Sequence, residues 1–171
     1  MALIYLIGFM GCGKTTLGKK VANQLKYDFI DLDQLIEKRA SLTINEFFTK
    51  NGEESFRVFE KQLLIEVSSS ENTVVAVGGG TPCYFTNMEI MNQTGETFYF
   101  QRPVKELFNR IVNARDNRPL VKDKSEEELL VYIEDLLNKR ESYYLKSKFT
   151  IPRSKLSVHD LVEIITGQCT L

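Results

Sequence analysis

Residues 8 to 15 read Gly-Phe-Met-Gly-Cys-Gly-Lys-Thr, which fits G-x-x-x-x-G-K-[ST], the phosphate-binding P-loop. In that pattern the glycines let backbone N–H groups wrap a polyphosphate, and the helix that follows adds positive potential at its N-terminus. The lysine reaches the β- and γ-phosphates, and the hydroxyl can ligate Mg²⁺. Gly11, Cys12, Gly13, Lys14, Thr15 and Thr16 are therefore candidate nucleotide-binding residues, with Thr15 also a candidate metal ligand. The motif works only between a buried strand and a helix. Here the apolar run Leu3–Ile7 precedes it and a helix-forming stretch follows. An ordinary glycine-rich turn is the alternative; the context favours a nucleoside triphosphate site.

Asp31-Leu32-Asp33 ends a second short apolar run. If the strand extends through it, a period of two points both carboxylates one way and Leu32 to the core. Two such carboxylates at the ligand end of a parallel sheet suit Mg²⁺, or can hold and polarise a hydroxyl. Either alone could instead cap the next helix. Many P-loop proteins place a metal-binding Asp after another strand. The run Val74-Val75-Ala76-Val77 offers none, which leaves Asp31 as the candidate. That run ends in Gly78-Gly79-Gly80, where a ligand could approach backbone N–H groups closely; a structural turn is the alternative.

Arg57 and Glu60 stand at i and i+3 on one helix face, so an Arg held by Glu could present its fork to a carboxylate or phosphate. An exposed ion pair of little worth is the alternative. Arg115 and Arg118 fall in the irregular stretch 114–124, suited to a lid that neutralises charge on a transferred phosphoryl, or simply to a solvated basic loop. Arg140 taken alone reads as a surface residue, and His159 as a surface or capping residue. The Cys12 thiol, inside the loop, would lie near nucleotide, so its alkylation would block binding.

These residues need a scaffold, and the chain alternates apolar runs with helical patterns. Strands are expected at Leu3–Ile7, Asp28–Asp31, Thr73–Val77, Thr97–Gln101 and Phe149–Ile151. Helices are expected at Lys14–Leu25, Gln34–Ala40, Thr43–Lys50, Glu53–Ser69, Val104–Val112, Ser125 to about Tyr144, and Ser157–Thr166. The result is a three-layer α/β/α fold in a single domain of 171 residues. The formal net charge of -1 gives no basic field for nucleic acid, and no run is long enough to span a membrane. Cys12, Cys83 and Cys169 do not suggest a disulfide framework. With no targeting segment recognised, a cytoplasmic monomer is expected.

With GFMGCGKT, DLD, FRVFE, GGG and RPL in this order and spacing, the chain resembles the shikimate kinase family over nearly its full length. The resemblance implies a nucleoside-monophosphate-kinase-like fold with sheet order 2-3-1-4-5, substrate-binding helices at about 32–62 and a lid at about 112–124. It implies ATP- and Mg²⁺-dependent phosphorylation of the shikimate 3-hydroxyl, towards chorismate and aromatic amino acids. Lys14, Asp33 and Arg118 match catalytic positions, Asp33 as the favoured base and Arg118 as the lid arginine. Thr15 and Asp31 match the metal positions. Arg57, Arg140, Gly78, Gly79 and Gly80 match the shikimate site, with Glu60 orienting its neighbours. Arg115 matches a lid or adenine contact. Arg153, in Ile151-Pro152-Arg153-Ser154, falls where the family lines the adenine, although this segment departs from the commoner acidic and threonine-containing pattern. A P-loop kinase for gluconate or a nucleoside monophosphate, and a catalytically silent relative or nucleotide switch that binds partners, are the alternatives. The two arginines and the glycines argue against a nucleotide acceptor, and a switch would typically have lost Lys14, Asp33 or Arg118.

Overall fold

The first strand, β1 (Leu3–Ile7), is buried along its whole length, so both of its faces are covered. Helix α1 (Lys14–Leu25) covers one: a Cβ at Gly18 would stand 2.7 Å from Leu6 Cδ1. Tyr5 points the other way, its hydroxyl 3.0 Å from Thr94 Oγ1 in α4 (Asn87–Thr94). Helices thus lie on both faces of one sheet, which makes the fold three-layered. The structure, a computed structural model, describes residues 2–114, 124–152 and 157–167.

The other strands are β2 (Asp28–Asp31), β3 (Thr73–Ala76), β4 (Glu96–Phe100) and β5 (Phe149–Ile151). All pair in parallel, in the order β2-β3-β1-β4-β5. Every carboxyl end therefore opens on one rim, where the loops after β1, β2 and β3 meet. The remaining helices among the described residues are α2 (Leu32–Ala40), α3 (Ile44–Val67), α5 (Val104–Val112), α6 (Glu126–Tyr144) and α7 (Val158–Ile165). Both α3 and α6 start in capping boxes, Thr43 with Glu46 and Ser125 with Glu128, which satisfy first-turn N–H groups locally.

Three expectations change. The two helices expected on either side of residues 51–52 form one element, α3, kinked where Gly52 leaves the helical region (φ 79°, ψ 168°). Helix α2 begins at Leu32 rather than Gln34, because Asp31 ends the strand and caps the helix. Asp33 therefore sits in a helical first turn, and the strand-alternation argument does not govern it. Finally, residues expected to carry no element form a 3₁₀ turn (Thr81–Cys83) and α4. The two are linked by a bond from Asn87 Nδ2 to the Thr81 carbonyl at 2.9 Å.

Candidate active site

The loop between β1 and α1 bends through Gly13, whose φ of 106° an L side chain rarely adopts. This turns the first N–H groups of α1, which have no helical partners, toward a cleft of about 730 Å³. Gly11, Gly13, Lys14, Thr15 and Thr16 line it together with Asp31, Asp33, Gly79 and Arg110. Lys14 Nζ rests on the loop itself, donating to the carbonyls of Gly8 (2.7 Å) and Phe9 (3.1 Å). Cys12 does not face the cleft. Its side chain is fully buried, and its N–H donates to the Phe9 carbonyl at 3.2 Å. The thiol expected near nucleotide is thus shielded in the core behind the loop, with Sγ 3.7 Å from Lys14 Nζ.

Thr15 Oγ1 donates to Asp31 Oδ2 at 2.7 Å, while Asp31 Oδ1 accepts from the Gln34 N–H at 3.3 Å. Asp31 therefore realises the capping alternative and also faces the loop. A hydroxyl and a carboxylate in contact beside a phosphate-binding loop fit Mg²⁺, which takes one or two protein oxygens and fills its shell with water and phosphate.

Asp33 lines the same cleft. Its carboxyl pKa is raised from 3.8 to about 6, first by burial and then by repulsion from Asp31; Lys14 opposes, and Glu60 and Glu37 add to the rise. A carboxylate so poised can accept a proton near neutral pH. Behind it, a Cβ at Gly78 would come within 2.7 Å of Asp33 Oδ1, so that glycine makes room for the carboxylate. At Gly80 the same atom would meet Arg57 Nη1 and Nη2 at 3.0 Å. The triple glycine thus clears space for protein side chains as well as for a ligand. The turn reading holds too, with Thr81 N–H bonded to the Gly78 carbonyl.

Arg57 and Glu60 are both buried, so their bond at 3.0 Å is not a surface pair. Glu60 also accepts from the Thr81 hydroxyl at 2.6 Å. Arg140 reaches the same wall, with Nη1 3.4 Å from the point a Gly79 Cβ would occupy. Tyr144, one turn further along α6, donates to the Gly79 carbonyl at 2.6 Å. Lys14, Thr15, Asp31 and Asp33 are thus gathered on one side, and Arg57 and Arg140 on the glycine wall beside them. Arg115, Arg118 and Arg153 lie outside the described residues. His159 is an exposed residue of α7 beside Glu163.

Several residues here escaped sequence reasoning. Arg110 Nε donates to the Gly11 carbonyl at 2.8 Å, and buried Arg102 to the Cys12 carbonyl at 2.5 Å. Their partners lie 99 and 90 residues earlier in the chain, so no local spacing pointed to them. Thr81 and Tyr144 were equally silent, although Tyr144 follows Arg140 at helical spacing.

A profile of the shikimate kinase family matches residues 10–169. The chain belongs to the shikimate kinase family. It is 45% identical over 156 residues to the shikimate kinase of Phocaeicola vulgatus, which spans 91% of this chain and 89% of that protein. Among solved structures, it matches shikimate kinase from Bacteroides thetaiotaomicron with a TM-score of 0.91 at 38% identity, covering 98% of this chain and 97% of that one. Shikimate kinase from Acinetobacter baumannii in complex with shikimate matches with a TM-score of 0.85 at 35% identity, covering 98% and 92%. The sheet order expected from the family resemblance is the one observed.

Proposed function

We infer that this chain transfers the γ-phosphoryl group of ATP to the 3-hydroxyl of shikimate, releasing ADP and shikimate 3-phosphate. Family membership supports the reaction class. The observation that carries the residue roles is the position of Asp33, in one cleft with Lys14 and Thr15 and against the glycine wall that borders Arg57.

In this reading Arg57 and Arg140 hold the acceptor's carboxylate through planar N–H forks, and Gly78, Gly79 and Gly80 form the backbone wall of its site. Asp33 orients the 3-hydroxyl and takes its proton as the oxygen attacks the γ-phosphorus. The bond from that phosphorus to the β–γ bridging oxygen breaks, and its electron pair leaves with ADP. Lys14 and the backbone N–H groups of Gly11, Gly13, Thr15 and Thr16 stabilise the charge that develops on the phosphates. Thr15 and Asp31 would hold Mg²⁺, directly or through water, and the ion would neutralise further charge there. Residues 32–62 are read as the acceptor-binding helices. Residues 112–124 are read as a lid carrying Arg115 and Arg118, with Arg153 near the adenine. No helix among the described residues is long and apolar enough to cross a membrane. A cytoplasmic monomer belongs to the same reading, and the free thiols of Cys12 and Cys83 support a reducing compartment.

Coupled ADP release, measured with ATP and shikimate, gluconate or AMP as acceptor, tests the proposal. Turnover with shikimate alone is expected. Turnover only with gluconate or AMP, or with none of the three, would overturn it.

A further inference from the structure

The Arg57 guanidinium is held on more sides than an ion pair requires. Glu60 Oε2 accepts from Nη1 at 3.0 Å. One turn back along α3, Glu53 Oε1 accepts from Nε at 3.3 Å and Nη2 at 3.2 Å. Tyr84, just past the 3₁₀ turn, covers one face, with Arg57 Cζ 4.0 Å from its ring centroid. The same tyrosine donates its hydroxyl to Glu53 Oε1 at 2.7 Å. Glu53 and Tyr84 have no part in the acceptor grip described so far.

The five N–H donors of a guanidinium lie in one plane. Glu53 takes the side edge formed by Nε and Nη2, and Glu60 takes one donor of Nη1. What remains is one N–H on each terminal nitrogen. A Cβ at Gly80 would stand 3.0 Å from both Nη1 and Nη2 but 3.3 Å from Cζ. Equal short distances to the two terminal nitrogens put that point off the end of the fork. With only hydrogen there, the fork stays open.

We propose that Glu53 and Tyr84 are positioning residues that make Arg57 present its end fork, and no other edge, to the acceptor's carboxylate. The proposal rests on the reading of Arg57 as the carboxylate grip. A long side chain ordered only on binding loses rotamer freedom at that moment, which weakens affinity. Glutamates on two edges and a ring on one face impose that order beforehand. The tyrosine couples two of these restraints, because its hydroxyl and ring are parts of one rigid group. The hydrogen bond from Tyr84 is also the main reason that the Glu53 carboxyl pKa lies below its usual value, with Arg57 and Arg140 adding to the effect. Glu53 thus stays ionised and able to accept from both nitrogens.

Steady-state kinetics on Glu53→Ala, Glu53→Gln, Tyr84→Leu and Tyr84→Phe test this, with melting temperatures measured alongside. Glu53 is exposed and Tyr84 half-buried, so all four variants are expected to fold. Glu53→Ala and Tyr84→Leu should raise the acceptor KM roughly tenfold, the effect of losing a charge-assisted bond, and leave kcat and the ATP KM within about twofold. Glu53→Gln should restore most of the loss, because its amide oxygen still accepts from Nε and Nη2. Tyr84→Phe should fall between wild type and Tyr84→Leu. An unchanged acceptor KM in Glu53→Ala and Tyr84→Leu overturns the proposal. So does a Gln variant as impaired as the Ala variant, since charge rather than orientation would then be responsible. Arg57→Lys separates the two levels of the argument. If it leaves the acceptor KM intact, the carboxylate grip itself falls; if it raises that KM while the Glu53 and Tyr84 variants do not, only the positioning role falls.

Discussion

Thr15 and Asp31 are joined across the mouth of the cleft, hydroxyl to Oδ2 at 2.7 Å, which ties the start of α1 to the end of β2. The other carboxylate oxygen caps α2. An asparagine keeps an acceptor for the cap but removes the charge. Asp31→Asn is expected to raise the Mg²⁺ concentration for half-maximal turnover about tenfold while leaving the melting temperature nearly unchanged. Turnover titrated against Mg²⁺ checks this, and an unaltered requirement takes Asp31 out of the metal site.

Asp33 is held at a thermodynamic disadvantage. Its folded pKa of about 6 exceeds the ordinary 3.8, so between those values the native state binds more protons than the unfolded chain. Stability therefore falls as pH rises through that window, and above it the ionised group costs on the order of 3 kcal/mol. Asp33→Asn should gain about that much at neutral pH and almost nothing near pH 4, while lowering kcat about a hundredfold or more. Urea unfolding at the two pH values, beside turnover, tests both halves. Equal turnover would exclude Asp33 as the base.

Two neighbouring glycines should fail in different ways. An added methyl at Gly78 meets Asp33 Oδ1 at 2.7 Å, whereas at Gly80 it meets both terminal nitrogens of Arg57 at 3.0 Å. Gly78→Ala should lower kcat predominantly, and Gly80→Ala should raise the acceptor KM, each with an ATP KM near wild type. If both variants change the same parameter, the glycines are serving the turn alone.

The Thr81 hydroxyl is buried and bonded to Glu60 Oε1 at 2.6 Å. Thr81→Val preserves shape but withdraws a donor from a buried carboxylate, so a loss of about 1–3 kcal/mol is expected. Urea denaturation measures it. An unchanged midpoint would mean that Glu60 has another donor in reach.

What the sequence made legible was local. The loop, its strand and its helix lie within a single stretch of chain, and Leu3–Ile7 and Lys14–Leu25 were placed to the residue. The capping box at Ser125 and Glu128 was equally readable, because both partners sit within one turn. Asp33 was assigned a strand geometry that a helix beginning at Leu32 replaced, since alternation says nothing about where a cap ends a strand. Tyr84 and Glu53 meet across 31 positions, and Arg102 reaches Cys12 across 90. No periodicity encodes such pairs; the topology of the sheet brings them together. Helix α4 begins at buried Asn87, whose amide nitrogen donates to the Thr81 carbonyl in the preceding turn, a contact that no helical periodicity signals.

Lys14 lies against the carbonyls of Gly8 and Phe9. The resting loop is therefore its own counter-ligand, with the ammonium already solvated by backbone. An anion that draws the lysine away must supply more than two neutral oxygens did. Charged phosphate oxygens do so, and a triphosphate would also engage the end of α1 at once. Nucleotide binding at this loop would thus be an exchange of backbone oxygens for phosphate oxygens around one ammonium.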